Sequence, residues 1–119
     1  PGIRVLTENW KSLLVDAEVT RDLLDRLEGE VGLLIDTGNW DGEDKYQQIA
    51  AVAGGAECSQ VKARESAPGV LDAEDLTHSL TALHEAGYAG RLSLVYAGTD
   101  DDEWGCLEQM HGIVRTAIG

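Results

Sequence analysis

Charged side chains stand at or near the ends of three apolar runs in this chain. Glu8 follows the first run, Asp36 follows the second, and Lys62 lies in the third, two residues before Arg64. Two carboxylates that share a pocket raise the pKa of one of them, which makes that group an acid or a base. A lysine within an apolar strand needs a partner, so Lys62 either pairs with Glu8 or Asp36 or binds an anionic or hydroxyl-rich ligand.

Strand-like and helix-like segments alternate four times along the chain. Such alternation predicts a parallel sheet whose strand ends meet at one edge. The chain has about half of the roughly 250 residues of a closed (β/α)8 barrel. We therefore predict a single α/β domain over residues 1–119, a (βα)4 half-barrel, with a four-stranded doubly wound domain as the structural alternative. The strand-like runs are residues 3–7, 31–35, 57–63 and 91–96, and the first helix is predicted over residues 17–27.

Several residues mark the ends of the predicted helices. Asp41 is expected to cap the second helix, and Asp72 the third. Residues 64–71 are predicted as a loop before that third helix, with a turn at Pro68-Gly69. The acidic run of residues 100–103 begins the last helix. It either binds a cation or stabilises the positive end of the helix dipole, which is the more common arrangement.

The composition indicates an acidic protein. The formal net charge is −13 and the pI is about 4.3, so we expect no binding to nucleic acid, whose phosphates are recognised mainly by Lys and Arg. The apolar runs are far shorter than a membrane span, and the N-terminus shows no secretory signal. We therefore expect a cytoplasmic protein with no membrane partner. Pro1, in place of an initiating Met, suggests a trimmed or partial chain.

The cysteines and histidines are predicted to be structural. Two cysteines make neither a disulfide framework nor a zinc site, so Cys58 and Cys106 are expected to be buried free thiols. His78, His84 and His111 lie in predicted helices, away from the strand ends.

A half-barrel also has consequences for association. Four adjacent strands leave two sheet edges and half of a barrel core exposed, which is unfavourable for an isolated chain. We therefore expect self-association or pairing with the missing half-barrel, unless the segment is cut from a longer protein.

Four segments near the predicted strand ends resemble, in their order and spacing, segments of a known protein family. They are Leu6-Thr7-Glu8-Asn9, residues 31–39, Gln60-Val61-Lys62-Ala63 and residues 87–94. In this order and spacing they resemble the C-terminal half of the xylose isomerase-like TIM barrels, the sugar phosphate isomerase/epimerase superfamily. The resemblance implies an isomerase or epimerase that acts on a small sugar, sugar phosphate or polyol by moving a proton between adjacent carbons. A non-catalytic carbohydrate-binding or structural relative of the same fold is the alternative.

In that family four side chains hold one divalent metal ion. The resemblance places Glu8 and Asp36 at the first two ligand positions. The position of a histidine falls on Gln60, and that of a final glutamate falls on Val95. With Glu8, Asp36 and Gln60 as ligands, the resemblance implies a bound ion, Mn²⁺, Mg²⁺ or Zn²⁺. That ion would be held weakly, because the valine at the fourth position has no donor atom. The ammonium of Lys62 is expected to replace part of the missing positive charge.

We expect catalytic roles for Glu8, Asp36 and Lys62. Glu8 has a structural alternative as a strand-end carboxylate bound by backbone donors or by an arginine. Asp36 has one as a cap of the turn that follows it. The indoles of Trp10 and Trp40 would either stack on a sugar ring or pack between loops. Arg64 would either bind an anionic group of the substrate or lie in solvent. The residues expected to bind the sugar-like substrate are Trp10, Asn39, Trp40, Arg64 and Tyr96.

Overall fold

The chain folds into a parallel four-stranded sheet in which each strand is followed by a helix. The computed structural model describes residues 2–10, 12–99 and 101–119. The strand order is β1-β2-β3-β6 with all neighbours parallel, and a short antiparallel hairpin, β4-β5, follows β3. The elements are β1 (Leu6–Glu8), α1 (Ala17–Arg26), β2 (Gly32–Asp36), α2 (Lys45–Ala53), β3 (Ala56–Lys62), β4 (Glu65–Ala67), β5 (Val70–Leu71), α3 (Ala73–Glu85), β6 (Arg91–Val95) and α4 (Glu103–Ile118).

Alternation along the strands gives the sheet two different faces. Leu33 and Ile35 of β2 and Val61 of β3 point to one face, and their exposed fractions are 1%, 0% and 0%. The residues between them, such as Leu34 and Gln60, point to the opposite face and are only partly buried. The first face is therefore the core side. We call the second the open face; by the strand register it carries Glu8, Leu34, Asp36, Cys58, Gln60, Lys62, Ser93 and Val95.

All four helices pack on the core side of the sheet. One apolar cluster joins α1, α2 and α3 to Leu33 and Ile35 of β2. A second cluster joins α3 and α4 to Val61 of β3. The predicted α/β class and parallel sheet are confirmed. None of the helices in the described part of the chain is long and apolar enough to cross a membrane.

Capping explains where three of the helices begin. Asp16 accepts from the N–H of Val19 at 2.8 Å at the start of α1, and that helix covers the predicted segment to within one residue. Asp72 caps α3 as predicted and accepts from the N–H of Asp75 at 2.9 Å. Asp102 caps α4, so the acidic run does lie at that helix start. Residue 100 of the run lies outside the described residues, as does residue 1.

The predicted cap of the second helix is wrong. The helix begins at Lys45, and Asp44 rather than Asp41 occupies the N-cap position, without a side-chain bond to the backbone. The carboxylate of Asp41 is bound by Arg64, 23 residues further along the chain. A long-range ion pair has therefore taken the residue that local sequence assigns to capping.

Two strand predictions also need correction. The first strand covers Leu6–Glu8 rather than residues 3–7, because Ile3 and Val5 are exposed at 88% and 58% and belong to no strand. The segment from Arg64 to Leu71, predicted as a loop, contains the β4-β5 hairpin. Its turn does fall at the predicted Pro68-Gly69.

The cysteines follow the prediction in part, and the histidines lie in helices as predicted. Cys58 and Cys106, both within the described residues, form no disulfide; Cys106 is buried, whereas Cys58 is partly exposed on the open face. His78 and His84 lie in α3, and His111 lies in α4.

Candidate functional site

The ends of β1, β2 and β3 bring four polar side chains into a continuous chain of contacts. Glu8 ends β1, Asp36 ends β2, Lys62 ends β3, and Asn39 lies in the loop after β2. The Nζ atom of Lys62 is 2.8 Å from Oδ2 of Asp36 and donates to Oδ1 of Asn39 at 2.9 Å. The Nδ2 atom of Asn39 donates to Oε1 of Glu8 at 2.7 Å. We call these four residues the strand-end cluster.

Asp36 is the most enclosed member of the strand-end cluster. It is 0% exposed, and its Oδ1 accepts from the N–H of Gly38 at 2.8 Å, which is the turn cap considered from the sequence. Its Oδ2 accepts no aligned hydrogen bond from the described residues, so the 2.8 Å contact with Lys62 is an ion pair held by charge. Because a buried carboxylate without a counter-charge is strongly destabilising, Lys62 is needed to keep Asp36 buried.

Three groups, two in the cluster and one beside it, are accessible to a ligand. Oε2 of Glu8 accepts no hydrogen bond from the described residues. The ammonium of Lys62 has three N–H donors but two oxygen partners, and its side chain is 22% exposed. The indole of Trp10 is 51% exposed, with Nζ of Lys62 at 5.9 Å from its ring centroid. The site therefore offers an acceptor, a positively charged donor and an aromatic face.

Two buried polar residues that were missed as site residues hold these strand ends together. Asn9 is 0% exposed; its Nδ2 donates to the carbonyl of Asp36 at 3.1 Å, and its Oδ1 accepts from the N–H of Asp36 at 2.7 Å. Thr37 is also 0% exposed; its Oγ1 donates to the carbonyl of Lys62 at 3.3 Å and accepts from the N–H of Lys62 at 3.0 Å. Both side chains bond backbone groups of the neighbouring strand. In the sequence, each of these two residues directly follows the acidic residue that ends a strand, and this position could have identified them.

Trp40 and Arg64 lie close in sequence or space to the cluster, but their polar atoms are bound elsewhere. Trp40 is 4% exposed and donates from Nε1 to the carbonyl of Leu14 at 2.8 Å, and its indole packs in the apolar cluster on the core side. Arg64 donates to the carbonyl of Trp40 at 2.6 Å and to the carboxylate of Asp41. Of the two indoles predicted to bind substrate, the structure brings Trp10 to the cluster and not Trp40.

The remaining candidates lie beside the cluster on neighbouring strands. Gln60 pairs in register with Asp36, and Val95 pairs in register with Lys62. Tyr96 directly follows β6 and is partly buried. Gln60 is thus placed next to Asp36 on the open face, and the apolar side chain of Val95 is the neighbour of Lys62 on the other side.

The predicted metal ligands were tested against this geometry. Glu8, Asp36 and Gln60 provide oxygen atoms, which suit hard divalent cations. The ammonium of Lys62 already lies 2.8 Å from Oδ2 of Asp36, so a metal ion at that oxygen has to displace a positive charge. Within residues 2–10, 12–99 and 101–119, no group of three His, Cys, Asp or Glu side chains is arranged to hold a metal. The oxygens fit a hard ion, and the ammonium weakens that fit.

A second buried ion pair connects α2 to α3. Lys45 donates to both carboxylate oxygens of Asp75 at 2.8 Å, and the hydroxyl of Tyr46 donates to Oδ1 of Asp75 at 2.8 Å. Burial lowers the pKa of Lys45, although its bond to Asp75 opposes this. Burial raises the pKa of Tyr46 to about 12, assisted by the bond to Asp75. Burial also raises the pKa of Asp75, but the hydrogen bonds from Lys45 and Tyr46 outweigh it and bring that pKa below 3.8.

One surface groove lies away from the strand-end cluster. It runs between α2 and α3 on the outside of the helix layer and is lined by Tyr46, Ala50, His78 and Ala82. The rings of Tyr46 and His78 meet edge to face there, with centroids 5.2 Å apart. Its lining is mainly packed helix surface, so we place the candidate site at the strand ends, where the polar groups converge.

No protein-family model and no curated protein matches this chain. The candidate site is therefore interpreted from its own geometry and from the residues that compose it.

Proposed function

We propose that this protein is a sugar phosphate isomerase/epimerase-like enzyme that acts on a small sugar or polyol at the strand-end cluster. The observation that carries the proposal is the contact chain from Glu8 through Asn39 and Lys62 to Asp36, which spans the ends of three parallel strands. The carboxyl edge of a parallel sheet is where α/β proteins bind their ligands. Trp10 adds an exposed aromatic face next to Lys62.

In the proposed reaction, Glu8 is the base and Lys62 supplies the positive charge. The carboxylate removes a proton from a carbon next to a carbonyl, the C–H electron pair forms the double bond of an enediolate, and the carbonyl oxygen takes up the negative charge. The ammonium stabilises that oxygen. Glu8 then returns its proton to the neighbouring carbon while a proton passes between the two oxygens, so the product is an isomer. Asn39 contacts both groups and orients them.

The arrangement of the elements supports a barrel-like setting for this site. The four sheet strands follow one another in chain order, and the helices pack on one face. A doubly wound sheet carries helices on both faces, whereas the inner face of a barrel carries none. We therefore interpret the fold as a (βα)4 half-barrel. Its open face would be covered by a second copy of the chain or by a complementary half-barrel.

Deuterium incorporation into a panel of aldoses and ketoses tests the reaction. Removal and return of a C–H proton in D2O labels the carbon at which transfer occurs, and NMR detects the label. We expect Glu8→Gln to slow labelling by about 100-fold or more, since a general base contributes at least that much. Glutamine keeps an oxygen that can accept from Asn39, so the variant should remain folded. Glu18→Gln, an exposed change in α1, is the matched control and should label at the wild-type rate.

Thermal shift with the same sugars separates binding from turnover. A sugar that stabilises both the wild type and Glu8→Gln without any labelling would favour the alternative, a non-catalytic carbohydrate-binding relative. Val95 is the observation that favours this alternative, because a valine in register with Lys62 supplies neither an acid nor a base. If no sugar stabilises the protein or acquires label, both functions are contradicted.

A divalent ion is proposed as a weak ligand of Glu8, Asp36 and Gln60. When bound, such an ion polarises ligand oxygens. Because it competes with the ammonium of Lys62, Mn²⁺, Mg²⁺ or Zn²⁺ should raise Tm only slightly in the wild type and more strongly in Lys62→Met, compared in each case with EDTA. A large, metal-specific rise in the wild type would contradict the role given to the ammonium. Full turnover by metal-free Lys62→Met would contradict it as well.

A further inference from the structure

We infer that the ligand of the strand-end cluster is an uncharged sugar or polyol and not a phosphorylated one. The inference rests on the proposed function and narrows its substrate class. A phosphate ester adds about two negative charges at neutral pH. Proteins bind such a group with cations, or with helix N-terminal N–H groups, that are left available for it. At the strand-end cluster, by contrast, the described cations are paired with carboxylates, and acidic residues outnumber basic ones.

Within the described part of the chain, the two cations next to the cluster are already paired. Lys62 pairs with Asp36, and Arg64 pairs with Asp41. Arg64 is restrained further by its 2.6 Å bond to the carbonyl of Trp40. The contact of Glu8 within the cluster is to an amide and not to a cation. The site and its neighbouring arginine therefore hold three carboxylates against two cations.

The loops around the cluster increase the negative charge. The segments that follow the four sheet strands, residues 9–16, 37–44, 63–72 and 96–102, contain eight acidic residues and one basic residue when only the described positions are counted. Three of these acids, Asp41, Glu43 and Asp44, are exposed in the same loop that holds Asn39. Charges within about 8 Å act on one another even at physiological ionic strength. A phosphate therefore approaches through an unfavourable potential.

An uncharged polyol matches the accessible groups. A hydroxyl can donate to Oε2 of Glu8, and a neighbouring hydroxyl can accept from the remaining N–H of Lys62. The apolar C–H face of a sugar ring can pack on the exposed indole of Trp10. Each of these contacts leaves the ion pair of Lys62 with Asp36 intact, so the site need not be rearranged to bind a neutral ligand.

Ligand pairs that differ by a single phosphate test the inference. Dissociation constants are measured by titration calorimetry for a ketopentose and a ketohexose, each with and without its terminal phosphate ester. We expect the uncharged member to bind at least about tenfold more tightly, and we expect this advantage to shrink as salt is added.

A pair of charge variants tests the physical cause. Asp41→Asn removes the partner of Arg64 and should strengthen binding of the phosphorylated ligand about tenfold, with little effect on the uncharged one. Asp22→Asn removes the same charge from an exposed pair with Arg26 in α1 and is the matched control, which should change neither affinity.

The outcomes separate this inference from the function on which it rests. Tighter binding of the phosphorylated member would overturn the inference and leave the proposed function standing. Binding of neither member would contradict the proposed function, and the inference would fall with it. If Asp41→Asn binds the phosphorylated ligand no better than Asp22→Asn does, the charge-based explanation is wrong.

Discussion

At the scale of the residue, the ion pair of Lys45 and Asp75 links two helices through nearly buried charges. The side chains are 2% and 10% exposed. Asp75→Asn leaves the ammonium without a counter-charge, so we expect the free energy of unfolding at neutral pH to fall by about 3 kcal/mol. Asp22→Asn removes a carboxylate from a solvent-exposed pair and should change stability little. Urea unfolding of the wild type and the two variants measures the difference; equal effects of the two changes would contradict it.

The same pair predicts a pH dependence with a defined sign. The pKa of Asp75 is lower in the folded chain than its usual 3.8, so below that pH the unfolded chain binds more protons than the folded one. The stabilisation by Asp75 is therefore complete above about pH 4 and is lost as the pH falls through the lowered value. The stability difference between the wild type and Asp75→Asn should be constant from neutral pH to about pH 5 and should narrow below about pH 4. A difference that stays constant in acid would contradict this assignment.

Residue types at strand ends predicted much of the candidate site, and side-chain bonds to the backbone account for what was missed. Glu8, Asp36 and Lys62 were identified because charged groups at the ends of apolar runs are unusual. The structure brings these three side chains together through Asn39. Asn9 was missed as a site residue because a buried amide that bonds two backbone groups leaves no periodic pattern. Trp40 was assigned to the ligand because composition cannot show that its N–H bonds the carbonyl of Leu14.

At the scale of the element, the hairpin after β3 is fastened to the loop after β6. Glu65 accepts from the N–H of Thr99 at 3.0 Å and from its hydroxyl at 2.9 Å. A Cβ at Gly98 would overlap Oε1 of Glu65 and lie 2.9 Å from Cε2 of Tyr96. Gly98→Ala should therefore break this link, lower the free energy of unfolding by about 1 kcal/mol, and speed amide hydrogen exchange in residues 65–71 and 96–99.

Gly112→Ala is the control for the loop link. A Cβ at Gly112 meets no described atom within 4 Å, and alanine is favoured over glycine within a helix by up to about 1 kcal/mol. This variant should be as stable as the wild type or more so, with unchanged exchange in the hairpin. If Gly98→Ala exchanges like Gly112→Ala, Glu65 does not hold the two loops together.

The helices were predicted more accurately than the short strands for a physical reason. Helix signals are local, and the starts of α1 and α3 were predicted correctly, the latter from its cap at Asp72. The β4-β5 hairpin has strands of three and two residues, too short to show alternation. Asp41 was misassigned because its partner, Arg64, is distant in sequence, and tertiary pairing overrode a local preference.

At the scale of the whole molecule, the open face and the net charge of −13 act in opposite directions on association. Covering the partly buried apolar side chains of the open face favours a partner. Two copies of so acidic a chain repel each other, and added salt screens that repulsion. If the chain pairs with itself, association should therefore strengthen with ionic strength, which is the opposite of what a charge-driven complex shows.

A charge placed on the open face tests whether that face is the contact between copies. Leu34 lies there between Glu8 and Cys58 in the strand register, so Leu34→Lys would bury an unpaired ammonium in such a contact. Val19→Lys makes the same change in charge on α1, where the side chain is 39% exposed. In sedimentation velocity, the wild type and Val19→Lys should form dimers that become more stable as salt is added. Leu34→Lys should stay monomeric at low and high salt, and its circular dichroism spectrum should match that of the wild type. Dimers of Leu34→Lys as stable as those of the wild type would place the contact elsewhere, and a wild type that stays monomeric at every salt concentration would exclude self-association.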